Sequence, residues 1–344
     1  MIKIRSKLIV YALLSFSFSI FLNSVFFAES LNMHLSRYFL YNSEQIIFCT
    51  DFLRTEYYFP KSDVKKTTEI KNEPYDASDN GEENVYLSKD KNVVLSNQKC
   101  TGLAFSNETN YVIDPQSMLF EKPDIKFADN NEPQILIVHT HASESYGYKR
   151  THPLTDTDRT QDKEYNMVRV GRELKNELKK RGYNVLHDET VHDYPSYTSS
   201  YKRSGETVER YLNKYPSIFA VFDIHRDAII NDDGKNVGLV SMQNGEECAQ
   251  VMIVCGTDQN NLKFDLWEEN LRLAFKIQDY MQSKYPGIMR NINIRKERFN
   301  LHLTKGSLLF EIGTNGNSLN QALNSVKYLA DGIDKTLQNI SKSY

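Results

Sequence analysis

The chain has 344 residues, 40% of them hydrophobic and 25% charged, with a formal charge of −3. That composition is ordinary for a soluble globular protein. The slight acidity excludes a typical nucleic-acid binder, which would carry a basic face. In chain order, Lys3, Arg5 and Lys7 come first, ahead of an uncharged run from Leu8 to Ala28. As a helix this run spans ~30 Å at ~1.5 Å per residue, the depth of a bilayer core. Cations before it and none directly after it predict a cytoplasmic N-terminus and an extracytoplasmic remainder. A cleaved signal peptide is the rival reading, but its apolar core is usually ~7–15 residues. Phe26 also fits poorly at the −3 position of a cut after Ala28. Residues 1–7 therefore read as a cytoplasmic tail and 8–28 as a single-pass anchor in the cell membrane.

Residues 29–130 read as a juxtamembrane stem and polar linker. The first part mixes aromatic and aliphatic residues and predicts a helix near the membrane surface. The stretch 61–92 is polar, low in aliphatics and broken by Pro74 and Gly81, as in a solvated linker. Cys49, Cys100, Cys248 and Cys255 are too far apart for paired metal-ligand spacing. Outside the cell a Cys49–Cys100 disulfide is open to the stem.

Dense apolar patterning begins near Pro133, so the folded domain is expected over 131–344. Gln134–Val138 is a short continuous apolar run, as in a strand buried on both faces. Met167, Val170, Leu174 and Leu178 recur at helical spacing, and Gly182 closes that helix. A strand at Tyr183–Leu186, a helix around Glu206–Tyr215 and a strand at Ile218–Ile224 follow. Further on come a strand at Gln250–Cys255, a helix over Leu266–Lys284 and a strand at Ser307–Ile312. Ser318 and Gln321 make a capping box for a last helix reaching about Leu337. The alternation predicts an α/β domain, a mostly parallel sheet with helices on both faces. In such sheets, sites form at the carboxyl ends of the strands.

Three of those ends carry metal-binding chemistry. His139, His141 and Glu144 follow the first strand in VHTHASESY, His225 ends another in VFDIHRDA, and Glu311 lies near the end of a third in LLFEIGTN. A catalytic zinc takes three protein ligands of the His/His/Glu type, and a further carboxylate is wanted to accept a proton from water. His141, Glu144 and His225 are the expected ligands, with Glu311 as the base. His139 remains open as a ligand in place of His141, or as a partner that orients one. Glu164 remains open in place of Glu144. His187 and His192, among Asp188, Glu189 and Asp193, read as a solvated loop rather than a second metal cluster. His152 and His302 read as lone loop histidines. Arg226 and Asp227 can orient His225, bind substrate or form a surface ion pair. No G-x-S-x-G, Walker loop or G-x-G-x-x-G is present.

ILIVHTHASESY, NMVRVGRELKNELKKRGYNV, VFDIHRDA and LLFEIGTNGNSLNQA together resemble the stage II sporulation protein P family of endospore-forming bacteria. The resemblance runs in order from about Gln134 to the last helix. It implies a cell-wall amidase-like fold and a zinc-dependent peptidoglycan hydrolase that cuts between N-acetylmuramic acid and L-alanine, and also cuts stem-peptide cross-links. It implies action in the septal and engulfing mother-cell membrane during forespore engulfment. The implied partners are the membrane-bound stage II sporulation proteins D and M, of which D is a lytic transglycosylase. The family's blocks map onto His141 and Glu144, onto His225 and onto Glu311. A zinc peptidase acting on protein, or a non-catalytic peptidoglycan-binding scaffold, is the alternative.

Overall fold

The computed structural model describes residues 93–96, 103–129, 131–155 and 157–342. The expected anchor at 8–28, the membrane-surface helix, the linker at 61–92, Cys49 and Cys100 all lie outside the described residues. Among the described residues no helix is long and apolar enough to cross a membrane.

The strands are β1 (Val93–Ser96), β2 (Phe105–Asn107), β3 (Ile135–Val138), β4 (Val185–His187), β5 (Ala220–Asp227), β6 (Asn236–Gln243), β7 (Glu246–Ala249), β8 (Val251–Gly256), β9 (Ile292–Arg295) and β10 (Leu308–Thr314). The helices are α1 (Pro115–Phe120), α2 (Met167–Lys180), α3 (Ser200–Lys214), α4 (Trp267–Lys284) and α5 (Leu319–Lys342). Seven strands form one sheet in the order β2-β9-β8-β10-β5-β3-β4. All neighbours in it are parallel except β8 and β10. The carboxyl ends of β10, β5, β3 and β4 therefore share one edge, and those of β2, β9 and β8 share the other.

The two faces are covered unequally. Ile135 and Ile137 of β3, Phe222 and Ile224 of β5, and Phe310 and Ile312 of β10 pack with α2, α4 and α5 in the main core. Leu136, Val138 and Val221 face the other way, against Val208 of α3. The period-2 alternation of a strand thus assigns every side chain to one of two faces. The α3 face is where it turns polar: after Val221 come Asp223 and His225, and after Leu309 comes Glu311.

The packed body starts earlier than the sequence patterning suggests. Strand β2 pairs with β9 at the sheet edge. Gln278 of α4 exchanges hydrogen bonds with the backbone of Ala104 at 3.0 and 2.8 Å, and Tyr111 stacks on Trp267 with centroids 4.9 Å apart. These elements are too short and too poor in aliphatics to show a period in the sequence. Helix α1 still carries a readable start, with Asp114 accepting from the Gln116 N–H and Pro115 in the first turn.

A second, small sheet has the order β1-β6-β7. Its hairpin turns at Asn244 and Gly245, both with positive φ (52° and 83°), as expected of an Asn-Gly turn between two strands. At the last helix the capping box is reciprocal, Gln321 N–H to Ser318 Oγ at 3.2 Å and Ser318 N–H to Gln321 Oε1 at 3.0 Å.

Candidate active site

Strands β3, β5 and β10 bring His141, Glu144, His225 and Glu311 to one edge. Parallel pairing puts Glu311 directly beside His225 and Val138 beside Asp223. The chain leaves β3 through Thr140, whose N–H and hydroxyl donate to the two Asp223 oxygens at 2.8 and 2.6 Å. It then turns tightly, Glu144 N–H donating to the His141 carbonyl at 3.1 Å. This turn carries Glu144 back over β5.

His225 lies between two carboxylates. Its Nδ1 is 3.2 Å from Glu144 Oε2, and its Nε2 is 2.9 Å from Asp223 Oδ1. The second contact is close but misaligned for a directed hydrogen bond, because Nε2 has no satisfactory partner. Burial would lower the His225 pKa, but Asp223 and then Glu144 outweigh it and raise it well above the usual imidazole value. Burial would likewise raise Glu144, but the hydrogen bond and charge of His225, with Arg226 and His141 behind them, hold it at about 2. The cluster therefore holds its carboxylates ionised around a positive charge.

His141 lies edge-on to His225 with centroids 5.3 Å apart. Burial and the positive charge of His225 depress its pKa to about 4, and its buried Nδ1 has no partner. Glu311 also has a buried, unpartnered oxygen, Oε2. Burial, reinforced by Asp227 and Glu144 and opposed by His225, raises its pKa to about 8.

The second layer fixes Glu144. Its Oε1 accepts from Arg159 at 3.3 Å, and its Oε2 accepts from the Arg226 backbone N–H at 3.3 Å. Arg159 also donates to Asp193 at 2.7 Å, and Asp193 accepts from the Ser143 hydroxyl at 2.5 Å. The Arg226 guanidinium donates to the carbonyls of Ser145, Thr157 and Asp158, so it holds the loop and is no surface ion pair. Asp227 pairs with Arg290 at 2.8 Å.

The donor set suits zinc: two imidazoles and a carboxylate converge from a turn and a strand, with Asp223 behind one imidazole as such sites require. The unpartnered Nδ1 of His141 is an acceptor or donor that buried groups rarely lack. As placed, no three His, Cys, Asp or Glu side chains among the described residues are grouped tightly enough to ligate an ion. In particular, the direct contact of Glu144 Oε2 with His225 Nδ1 at 3.2 Å would have to open to admit one.

Glu164 pairs with Arg172 at 2.7 Å, with 61% of its side chain exposed, and so points to solvent. His139 faces α2 and not the cluster: its Nδ1 is 3.0 Å from the Ile224 carbonyl and its Nε2 is 2.8 Å from His187 Nε2. His187 and His192 are correspondingly not in a solvated loop. The His187 ring is buried against His139, and His192 is buried with its Nδ1 2.8 Å from the His139 carbonyl. His152 is also buried and stacks on Tyr165. Asp223, Arg159 and Asp193 escaped the sequence reading. Asp223 alone left a signal, lying two residues before His225 and hence on the same strand face.

The His139–His187 pair accounts for a glycine within α2. A Cβ on Gly171 would lie 2.5 Å from two atoms of the His139 ring and 2.8 Å from His187 Nε2. Gly171→Ala should therefore destabilise the protein by ~1–3 kcal/mol through overpacking, despite the ~1 kcal/mol helix-propensity gain. A urea midpoint at or above that of the wild type would contradict this.

The same pair sets a pH dependence. Burial, with His139 and nearby cations, lowers the His187 pKa from 6.5 to about 2. As pH falls below 6.5, the unfolded chain binds a proton there that the folded chain refuses, so stability falls. The loss for this ring at pH 5 is ~2 kcal/mol. Urea unfolding at pH 7.5 and pH 5 should show that drop, and His187→Asn should reduce it.

A model of the family described as Stage II sporulation protein P matches residues 34–334. Stage II sporulation protein P of Bacillus subtilis (strain 168) is 27% identical over 233 residues, covering 63% of this chain and 54% of that protein. The chain thus matches about half the length of that curated relative. Among solved structures, an N-acetylmuramoyl-L-alanine amidase from Clostridium difficile 630 is 16% identical, with 62% of this chain and 98% of that chain covered and a TM-score of 0.36. The catalytic domain of CwlV, an amidase of the same name from Bacillus (Paenibacillus) polymyxa var. colistinus, is 11% identical, with coverages of 61% and 99% and a TM-score of 0.35. Scores of that size leave fold and activity to be read from the chain itself. The family match spans most of the sequence, and the chain belongs to the stage II sporulation protein P family.

Proposed function

We propose that this protein is a zinc-dependent peptidoglycan hydrolase that cuts the amide between N-acetylmuramic acid and L-alanine, and stem-peptide cross-links, during forespore engulfment. The observation that carries the reading is His225, set between Asp223 and Glu144 and edge-on to the ring of His141, whose buried Nδ1 has no partner, with Glu311 on the next strand. His141, Glu144 and His225 would hold the zinc. At that point zinc would supply Lewis acidity toward the amide carbonyl and the attacking water.

The protein's own groups do the rest. Glu311 accepts a proton as water oxygen bonds to the carbonyl carbon, and a zinc held by the neighbouring cluster would favour its ionised form. Glu311 then delivers that proton to the leaving nitrogen as the C–N bond breaks. Asp223 orients His225, and Arg159 with the Arg226 N–H orients Glu144. Anchoring by residues 8–28 would confine the enzyme to the wall next to its membrane and raise its local concentration. Stage II sporulation proteins D and M are the proposed partners there.

Mass spectrometry of peptidoglycan digested by the purified full chain tests the reading. Free stem peptides beginning with L-alanine should appear with zinc and vanish with a chelator. Prolonged digestion that leaves every stem peptide attached would overturn it.

A further inference from the structure

Tyr194 and Tyr197, on the loop between β4 and α3, are 55% and 58% exposed. Exposed apolar residues scattered singly carry no meaning, but these two are held out on a fixed backbone. The Arg203 guanidinium donates to the carbonyls of His192, Ser196 and Thr198. Asp193, just before Tyr194, is tied to Ser143 and Arg159. The loop is also continuous with the site. The Tyr197 ring stacks on His141 with centroids 4.4 Å apart and planes 11° apart, and Arg159 lies 5.0 Å from its centroid.

We propose that Tyr197, with Tyr194 as an outer contact, is a sugar-binding platform that seats the glycan strand beside the His141–Glu144–His225 cluster. The proposal rests on the peptidoglycan reading above. The amide to be cut joins the lactyl arm of an amino sugar to an amino acid. A scissile carbonyl at the cluster thus puts the sugar ring within a few bonds, which is where Tyr197 stands. A pyranose packs its C–H face on an aromatic ring and leaves its hydroxyls in water, and a tyrosine edge offers a further hydroxyl. A carboxylate-bearing stem peptide would instead call for a free cation. Arg159, whose guanidinium lies over the Tyr197 ring, is already paired with Asp193 and Glu144.

The test measures binding of the full chain to glycan strands stripped of stem peptides, with free stem peptide as a second probe. Wild type should bind the stripped strands, and Tyr197→Ala should weaken that binding by about five- to tenfold. Tyr194→Ala should weaken it less, and Tyr197→Phe, which keeps the ring and loses only the hydroxyl, should lose less than Tyr197→Ala. On intact soluble fragments, KM for Tyr197→Ala should rise by the same factor with kcat and zinc content retained. The proposal is overturned if wild type ignores stripped strands, if Tyr197→Ala binds them equally well, or if the loss falls on the free peptide instead. It is also overturned if kcat falls at constant KM, which would make Tyr197 only a support for His141. Failure of wild type to cut intact peptidoglycan would count against the hydrolase reading, while strand binding still decides the platform.

Discussion

Glu311→Gln is expected to lower kcat by ~10²–10⁴-fold while KM changes little. Gln is nearly isosteric and keeps a hydrogen-bonding oxygen, but it cannot accept the proton from water. The unpartnered Oε2 and the pKa of about 8 both come from burial beside Asp227 and Glu144. A carboxyl strained in this way is near the ideal of a general base at neutral pH. Zinc content should be unchanged, since Glu311 stands outside the proposed ligand set. Steady-state kinetics and metal analysis on one preparation check both halves. Retained turnover, or loss of zinc, would show that the base lies elsewhere.

His141→Ala and His225→Ala are expected to remove bound zinc and activity together, whereas His139→Ala should keep zinc and lose stability. The contrast follows from where each ring lies: His139 packs against His187 beneath α2, whereas His141, after the turn, lies edge-on to His225. His225→Ala carries an extra cost, because it strips the positive partner from two buried carboxylates, Asp223 and Glu144. Breaking such a buried set typically costs ~3–5 kcal/mol, so folding should be checked by circular dichroism alongside metal content. Asp223→Asn should be milder, with zinc affinity lower by ~10–100-fold. Full zinc occupancy in His141→Ala would contradict the assignment.

Much of the fold is legible in the sequence. The strand ends carrying His141, His225 and Glu311 could be read from apolar runs followed by titratable residues, and the last helix from Ser318 and Gln321. Strand parity also places the His139 ring. Ile135, Ile137 and His139 alternate onto the α2 face, so His139 meets Gly171 and His187 and leaves the cluster to His141 after the turn. Arg159 and Asp193 were not legible, because they reach Glu144 from separate loops through contacts that no local period records. Strands β2 and β9 and the β6–β7 hairpin were missed for another reason. Three- and four-residue strands such as β2, β7 and β9 hold too few side chains to show alternation, and in the longer β6 the residues from Val237 to Leu239 are buried in succession, although Asn244-Gly245 marks the turn. The antiparallel junction of β8 with β10 is a matter of topology, which apolar patterning cannot orient.

The most direct test of the central claim is zinc K-edge X-ray absorption on the purified full chain. The account predicts one zinc per chain with two imidazole nitrogens at ~2.0–2.1 Å, carboxylate oxygen at ~2.0–2.2 Å and no sulfur. A sulfur shell from Cys248 or Cys255, or a chain that hydrolyses peptidoglycan fully without stoichiometric zinc, would contradict it.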